Sequence, residues 1–214
     1  MKKIIVIGCK GFIGKNVFDF FSNDPEFDCW GADVVVDYIS TNYFLIDSTN
    51  SDFNELFETH SFDFCINCSG AASVPASLLH PLRDFSLNTY NAIKMLDSIK
   101  RHSPQCVFIN MSSAAIYGNP VRLPINEDDD CNPVSPYGLH KLITEKVCKE
   151  YHQYFGLKTC SLRIFSAYGP GLKKQILWDV YQKSICSDAV SLFGSGNETR
   201  DFIFITDIVN AIKI

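Results

Sequence analysis

Long apolar runs are missing from this 214-residue chain, which excludes a helix that crosses a bilayer. The N-terminus, Met1-Lys2-Lys3, leads into an apolar segment of only Ile4 to Ile7 before Gly8 and Lys10 interrupt it. A secretory leader needs a longer apolar core and a small-residue cleavage site, so a cytoplasmic protein with no membrane partner is expected. Basic clusters are missing as well. With 19 Lys and Arg against 24 Asp and Glu, the formal charge is -5, and nucleic acid is not an expected partner. The nine cysteines show no framework spacing. Cys9, Cys29, Cys65, Cys106 and Cys160 lie in or beside apolar runs, where a thiol acts as a small hydrophobe. Cys65 and Cys68 have CxxC spacing, but no second Cys/His pair accompanies them at ligand spacing, so no metal is expected.

What is present is an ordinary globular balance, 46% hydrophobic and 20% charged, at a length that suits one domain or one domain plus part of a second. Lys2 to Gly8 is rich in β-branched residues without alternation, as in a strand buried on both faces of a parallel sheet. Gly8, Gly11 and Gly14 follow as GxxGxxG, and Val17, Phe18, Phe20 and Phe21 then mark a helix. Strand, glycine turn and helix form the setting in which a dinucleotide's phosphates meet a helix N-terminus. Gly8, Gly11, Phe12, Ile13 and Gly14 are therefore candidate cofactor-binding residues.

A second strand, Phe27 to Ala32, ends at Asp33, placed to accept hydrogen bonds from the adenosine ribose. This favours NAD, because the following Val34-Val35-Val36-Asp37 offers no cation for the extra phosphate of NADP. An ordinary turn carboxylate is the alternative. A third strand, Tyr43 to Ile46, ends at Asp47, which either meets adenine or caps a helix. A fourth, Phe64 to Cys68, ends in small residues; Ser69, Gly70 and Ala71 would let a flat ligand approach the backbone. From Pro75 a long helical region is expected, with Asn88 a polar residue near the cofactor.

Candidate chemistry gathers between Cys106 and Lys141. A fifth strand, Cys106 to Met111, delivers Ser112 and Ser113. The Pro-rich, acidic loop 119–136 follows, then a helix from Tyr137 to about Tyr154 and a sixth strand, Lys158 to Phe165. Tyr137 and Lys141 are four apart, on one helical face, where an ammonium lowers a phenol's pKa. Beyond lie a helix around Ile176 to Tyr181, an apolar stretch Val190 to Phe193, a strand Ile203 to Ile205, and a last helix capped by Thr206 that stops at Ile214. A fold would be expected to continue there.

With these residues in view, the chain resembles the extended short-chain dehydrogenase/reductases, specifically the NAD-dependent epimerase/dehydratase family that acts on nucleotide sugars. The motifs are GxxGxxG at Gly8 to Gly14, SSxxxYG at Ser112 to Gly118, YxxxK at Tyr137 to Lys141, an RxFxxYGPG-like run from Arg163 to Gly171, and GxGxxxRDF at Gly194 to Phe202. The resemblance implies an α/β fold, a Rossmann doubly wound parallel sheet with helices on both faces. It also implies an NAD-binding domain over 1–165 and a partial C-terminal substrate region over 166–214. Ser113, Tyr137 and Lys141 are then the catalytic positions, with Tyr137 and Lys141 also at the cofactor. Ser113, Ser166 and Arg200 would meet a nucleotide-sugar substrate, and a homodimer is implied.

The departures bear on the reaction. Where dehydratases of the family carry an acidic residue after the catalytic Ser/Thr, this chain has Ala114 and Ala115. A methyl cannot move a proton, so the reading favours C4 epimerisation through a transient keto sugar over elimination. Ser166 stands where Asn is usual in the family. The family's longer C-terminal substrate region also suggests that these 214 residues are truncated. The alternatives are a nucleotide-sugar keto-reductase or dehydrogenase, and an NAD-binding protein without turnover.

Overall fold

The computed structural model describes residues 1–186, 189–192 and 194–213. The chain divides into two compact units, Met1–Ile164 and Phe165–Ile214.

In the first unit, β1 (Lys2–Ile7), β2 (Phe27–Asp33), β3 (Tyr43–Leu45), β4 (Phe64–Asn67), β5 (Val107–Ser113) and β6 (Thr159–Ile164) form one sheet in the order β3-β2-β1-β4-β5-β6. Every pairing is parallel. This is the doubly wound order, and its reversal between β1 and β4 opens a crevice at the strands' carboxyl ends. Ile4, Ile5 and Val6 are all fully buried, which is why β1 needs no alternation.

The helices are α1 (Phe12–Ser22), α2 (Asn54–Thr59), α3 (Val74–Leu79), α4 (Pro81–Phe85), a π-helical turn (Ser86–Tyr90), α5 (Asn91–His102) and α6 (Pro136–Phe155). The main core joins Ile5, Ile7 and Phe108 of the sheet to Leu56 and Phe57 of α2, Leu96 and Ile99 of α5, and Val147 of α6. On α1, Phe21 packs edge-on against Phe27, their ring centroids 4.9 Å apart.

The long helical region expected from Pro75 is present, divided into consecutive pieces. Pro81 has no N–H and disfavours helical backbone at the residue before it, and His80 leaves the helix at φ -136°, ψ 63°. Past α4 an extra residue widens one turn into the π form, which contains Asn88. Strand β5 runs two residues further than expected and carries Ser112 and Ser113 itself.

Helix α6 begins where its sequence says it should. The Ser135 side chain accepts from the Gly138 amide at 3.1 Å, and Pro136 occupies the first turn. The Tyr137 amide donates to Ser77 Oγ at 3.1 Å, which ties the start of α6 to α3.

The second unit pairs β7 (Ser166–Tyr168) with β8 (Phe202–Phe204) in parallel and carries α7 (Gln175–Cys186) and α8 (Ile205–Ile212). Helix α8 starts at Ile205 rather than after a Thr206 cap, and it buries Ile205, Ile208, Val209 and Ile212 as one stripe. Apolar spacing sets its start, one residue before the hydroxyl. The stretch Val190 to Phe193 contains no regular element among its described residues, and Phe193 lies outside them, as does Ile214.

Gly138 is the tightest point of α6. A Cβ there would stand 2.5 Å from the Ala115 carbonyl oxygen and 3.1 Å from Pro133 Cβ. Gly138→Ala is expected to lower stability by about 1–3 kcal/mol in urea unfolding, the usual cost of overpacking; an unchanged midpoint would contradict the packing.

Candidate active site

Two clusters meet at the carboxyl edge of the sheet. The first surrounds the glycine loop. A Cβ on Gly14 would lie 2.1 Å from the Gly8 carbonyl oxygen, so α1 can approach the loop this closely only with glycine there. The N-cap of α1, Gly11, supplies no side-chain hydrogen bond, which leaves amides at the helix start, next to Phe12 and Ile13, for an anion.

Asp33 closes this loop. It accepts from the Lys10 amide at 2.9 Å through Oδ2 and from the Val34 amide at 2.8 Å through Oδ1. Oδ1 also accepts from the Val35 amide at 3.3 Å; with about four acceptor sites on a carboxylate, Oδ2 retains capacity for a ribose hydroxyl. Asp47 is different. It is exposed, and its Oδ1 accepts from the Thr49 amide at 2.7 Å, a local turn.

At the end of β4, Ser69 donates to Asn67 Oδ1 at 2.6 Å, and Gly70 and Ala71 continue the turn. Asn88 faces this turn, its Oδ1 against Gly70. Both polar atoms of the Asn88 side chain are buried without a partner among the described residues. Such an orphan is costly unless something pairs with it. Together with the uncapped helix start and the glycine close approach, it fits a dinucleotide lying across β1, β2 and β4.

The second cluster is built by β5 and α6. Lys141 is buried and donates from Nζ to the Met111 carbonyl at 2.9 Å. Its ammonium lies 6.0 Å from the Tyr137 ring centroid, on the shared helical face. Ser113 Oγ accepts from the Ala115 amide at 3.2 Å, and its hydroxyl is near enough to the Tyr137 phenol to influence its titration. The structure thus brings Ser113, Tyr137 and Lys141 together.

The electrostatics differ from the sequence expectation. Burial pushes the Tyr137 phenol above its ordinary pKa; the nearby Ser113 hydroxyl opposes this, and the charge of Asp84 adds to it. Desolvation outweighs what an adjacent ammonium would do. Burial also lowers Lys141 to about 8, against smaller opposing effects from Asp84 and Cys68. Cys68 at the same floor is pushed up to about 12 by burial, so its thiol stays neutral.

Several residues that hold this geometry escaped the sequence reading. Ser112 donates to Glu145 Oε1 at 2.5 Å, and Arg163 forks onto Glu145, with Nη2 to Oε2 at 3.0 Å. Arg163 also donates from Nη1 to the Tyr117 hydroxyl at 2.7 Å and to the Glu127 carbonyl at 2.6 Å. Glu145 is four residues after Lys141, and that spacing was a signal available in the sequence. The buried Asp84–His140 pair, 2.6 Å apart, joins α4 to α6 and had no local signature. Thr144 donates to the Asn88 carbonyl at 3.2 Å and so ties the π-helical turn to α6.

Ser166 and Arg200 belong to the second unit. Ser166 pairs with Phe202, and its amide donates to the Asp201 carbonyl at 3.0 Å, which puts it at the end of the ribbon that Arg200 precedes. Arg200 is exposed.

A Rossmann sheet with a glycine loop at its first turn and a Ser, Tyr and Lys cluster on β5 and α6 defines a dinucleotide-dependent oxidoreductase-type scaffold. The chain belongs to the NAD dependent epimerase/dehydratase family, whose sequence profile matches residues 4–214. NAD is therefore its cofactor. Among relatives, the UDP-glucose 4-epimerase of Halalkalibacterium halodurans is 28% identical over 235 residues, covering 97% of this chain and 69% of that protein. The UDP-glucose 4-epimerase of Brucella ovis, solved with NAD, superposes with a TM-score of 0.85 at 25% identity, over 99% of this chain and 71% of that one. The UDP-glucuronic acid 4-epimerase of Bacillus cereus, solved with UDP-glucuronic acid and NAD, superposes at 0.87 with 24% identity, over 99% and 73%.

The Lys141 shift has a definite sign for stability. Its folded pKa lies below the unfolded value, so the buried charge costs the fold fully below about 8, and the cost fades as pH rises toward 10.5. Relative to Lys141→Met, the wild type is expected to gain roughly 2 kcal/mol in urea unfolding between pH 7 and pH 10. A difference that stays flat over that range would contradict the buried ammonium.

Proposed function

We propose that this chain epimerises a nucleotide sugar at C4, most simply a UDP-sugar, through a transient 4-keto intermediate. The observation that carries this reading is the Tyr137 ring 6.0 Å from the buried Lys141 ammonium, with Ser113 at the end of β5 followed by two methyl side chains. The chemistry that NAD supplies when bound is reversible acceptance of hydride.

The chain's residues do the rest. Tyr137, once ionised to its phenolate, takes the proton of the C4 hydroxyl and later returns it. Ser113 hydrogen-bonds the same oxygen, where charge develops. Lys141 holds the nicotinamide ribose and a positive charge next to the phenol. Gly8, Gly11, Phe12, Ile13 and Gly14 take the pyrophosphate at the start of α1, and Asp33 takes the adenosine ribose. Ser69, Gly70, Ala71 and Asn88 line the cofactor's path beyond β4, and Asp47 lies at its adenine end. Ala114 and Ala115 leave no acid or base to expel water, so the keto sugar is reduced again rather than dehydrated.

In the second unit, Arg200 would grip the substrate diphosphate with its planar fork, near Ser166. The relatives named as UDP-glucose 4-epimerases support the substrate class. Leu78, Leu79, Leu82 and Leu139 on α3, α4 and α6 are exposed and support pairing of two copies through these helices. Nine free cysteines suit a reducing cytoplasm.

The test is interconversion of a panel of UDP-sugars by the purified chain. The expected result is a C4 epimer and no dehydrated product. Tyr137→Phe should cut turnover by roughly 10²–10⁴ while NAD still binds, and Ser113→Ala should cut it less. Undiminished turnover by Tyr137→Phe would sink the mechanism, and net release of a keto sugar would mark a dehydrogenase instead.

A further inference from the structure

A 2′-phosphorylated dinucleotide needs a cation beside the end of β2. The residues directly after Asp33 are three valines, and on sequence alone that edge has no cation. The fold supplies one from 23 residues earlier. The Lys10 amide donates to Asp33 Oδ2 at 2.9 Å, so the Lys10 side chain starts at the carboxylate that marks the ribose. Its ammonium lies 5.1 Å from the centroid of the Tyr43 ring and is paired with Asp37.

Asp37 is the fixed member of that pair. Its Oδ1 accepts from the Ile39 and Ser40 amides at 2.8 and 3.1 Å, and its Oδ2 accepts from Ser40 Oγ at 2.8 Å as well as from Lys10. The Asp37 side chain is 8% exposed against 34% for Lys10. Lys10 and the surrounding amides hold the Asp37 carboxyl well below the usual range, and Asp37 in turn raises the Lys10 ammonium. Two carboxylates, Asp33 and Asp37, therefore face one ammonium along this edge. That balance repels a phosphate dianion and leaves a ribose hydroxyl unaffected.

The geometry points to Asp37 as a specificity-determining residue: by holding Lys10, it keeps a latent 2′-phosphate subsite closed, so that the chain takes NAD and rejects NADP. This rests on the reading of Asp33 and the glycine loop as the adenosine end of the cofactor site. Once Asp37 is neutral, the four-carbon stem of Lys10 is free to turn its ammonium toward a phosphate on the ribose.

Binding of NAD+ and of NADP+ to the purified chain, each by calorimetry, tests it without recourse to turnover. Asp37→Asn suits the purpose, because an amide oxygen can keep the Ile39 and Ser40 bonds while the amide nitrogen cannot accept from Lys10. The expected result is an NADP+ Kd at least about tenfold lower than in the wild type, with the NAD+ Kd within about threefold. Adding Lys10→Met should abolish the gain, and raising the salt should shrink it. If Asp37→Asn does not fold, Asp37→Ser, whose hydroxyl can cap the same turn, carries the same expectation. NAD+ binding with an unmoved NADP+ affinity would overturn the role of Asp37, as would a gain that survives Lys10→Met. A wild-type chain that binds neither dinucleotide would overturn the cofactor site itself, an outcome distinct from those two.

Discussion

An ammonium withdrawn from water is the constraint to which the rest of the site answers. Lys141 sits inside the first unit, with its head on the Met111 carbonyl, and a buried charge is tolerated only where its surroundings compensate it. The compensation is spread over two elements. Strand β5 offers a carbonyl, and α4 contributes the charge of Asp84. Holding those elements in register also fixes Tyr137 one turn earlier on α6 and Ser113 two residues past Met111. The proposed proton-transfer pair is thus positioned by the packing that makes the lysine bearable.

A second layer keeps that packing stiff. Arg163 at the end of β6, Glu145 on α6, Ser112 on β5 and Tyr117 beyond it share one hydrogen-bonded network. Bidentate arginine–carboxylate pairs add geometric definition as well as energy. Through the Glu127 carbonyl the same arginine reaches the Pro-rich loop that precedes α6. Gly138, pressed against the Ala115 carbonyl, brings the first turn of α6 down onto the two alanines.

Much of this was legible in the residues. Glycine spacing, unalternated strands and the Tyr137–Lys141 interval gave the sheet, its first crossover and the cluster, because each is set by local backbone or by helical period. What stayed hidden depended on residues distant in sequence. The helical region after Pro75 was legible, but not its break at Pro81 or the π-helical turn at Asn88. The direction of the Tyr137 shift could not be read, since spacing reveals a neighbouring ammonium but not the depth of burial that outweighs it. The pairing of Lys10 with Asp37 had no local signature, because the two stand 27 positions apart. Thr206 looked like a cap, but the apolar stripe of α8 begins one residue before it.

The central claim is that a hydrogen leaves C4 and returns to the same carbon while Tyr137 handles only the hydroxyl proton. Supplying the converted UDP-sugar with deuterium at C4, in ordinary water, tests this most directly. The account expects the epimerised product to keep deuterium at C4, because the hydride never exchanges with solvent. Loss of the label to water, with epimerised product still formed, would contradict it.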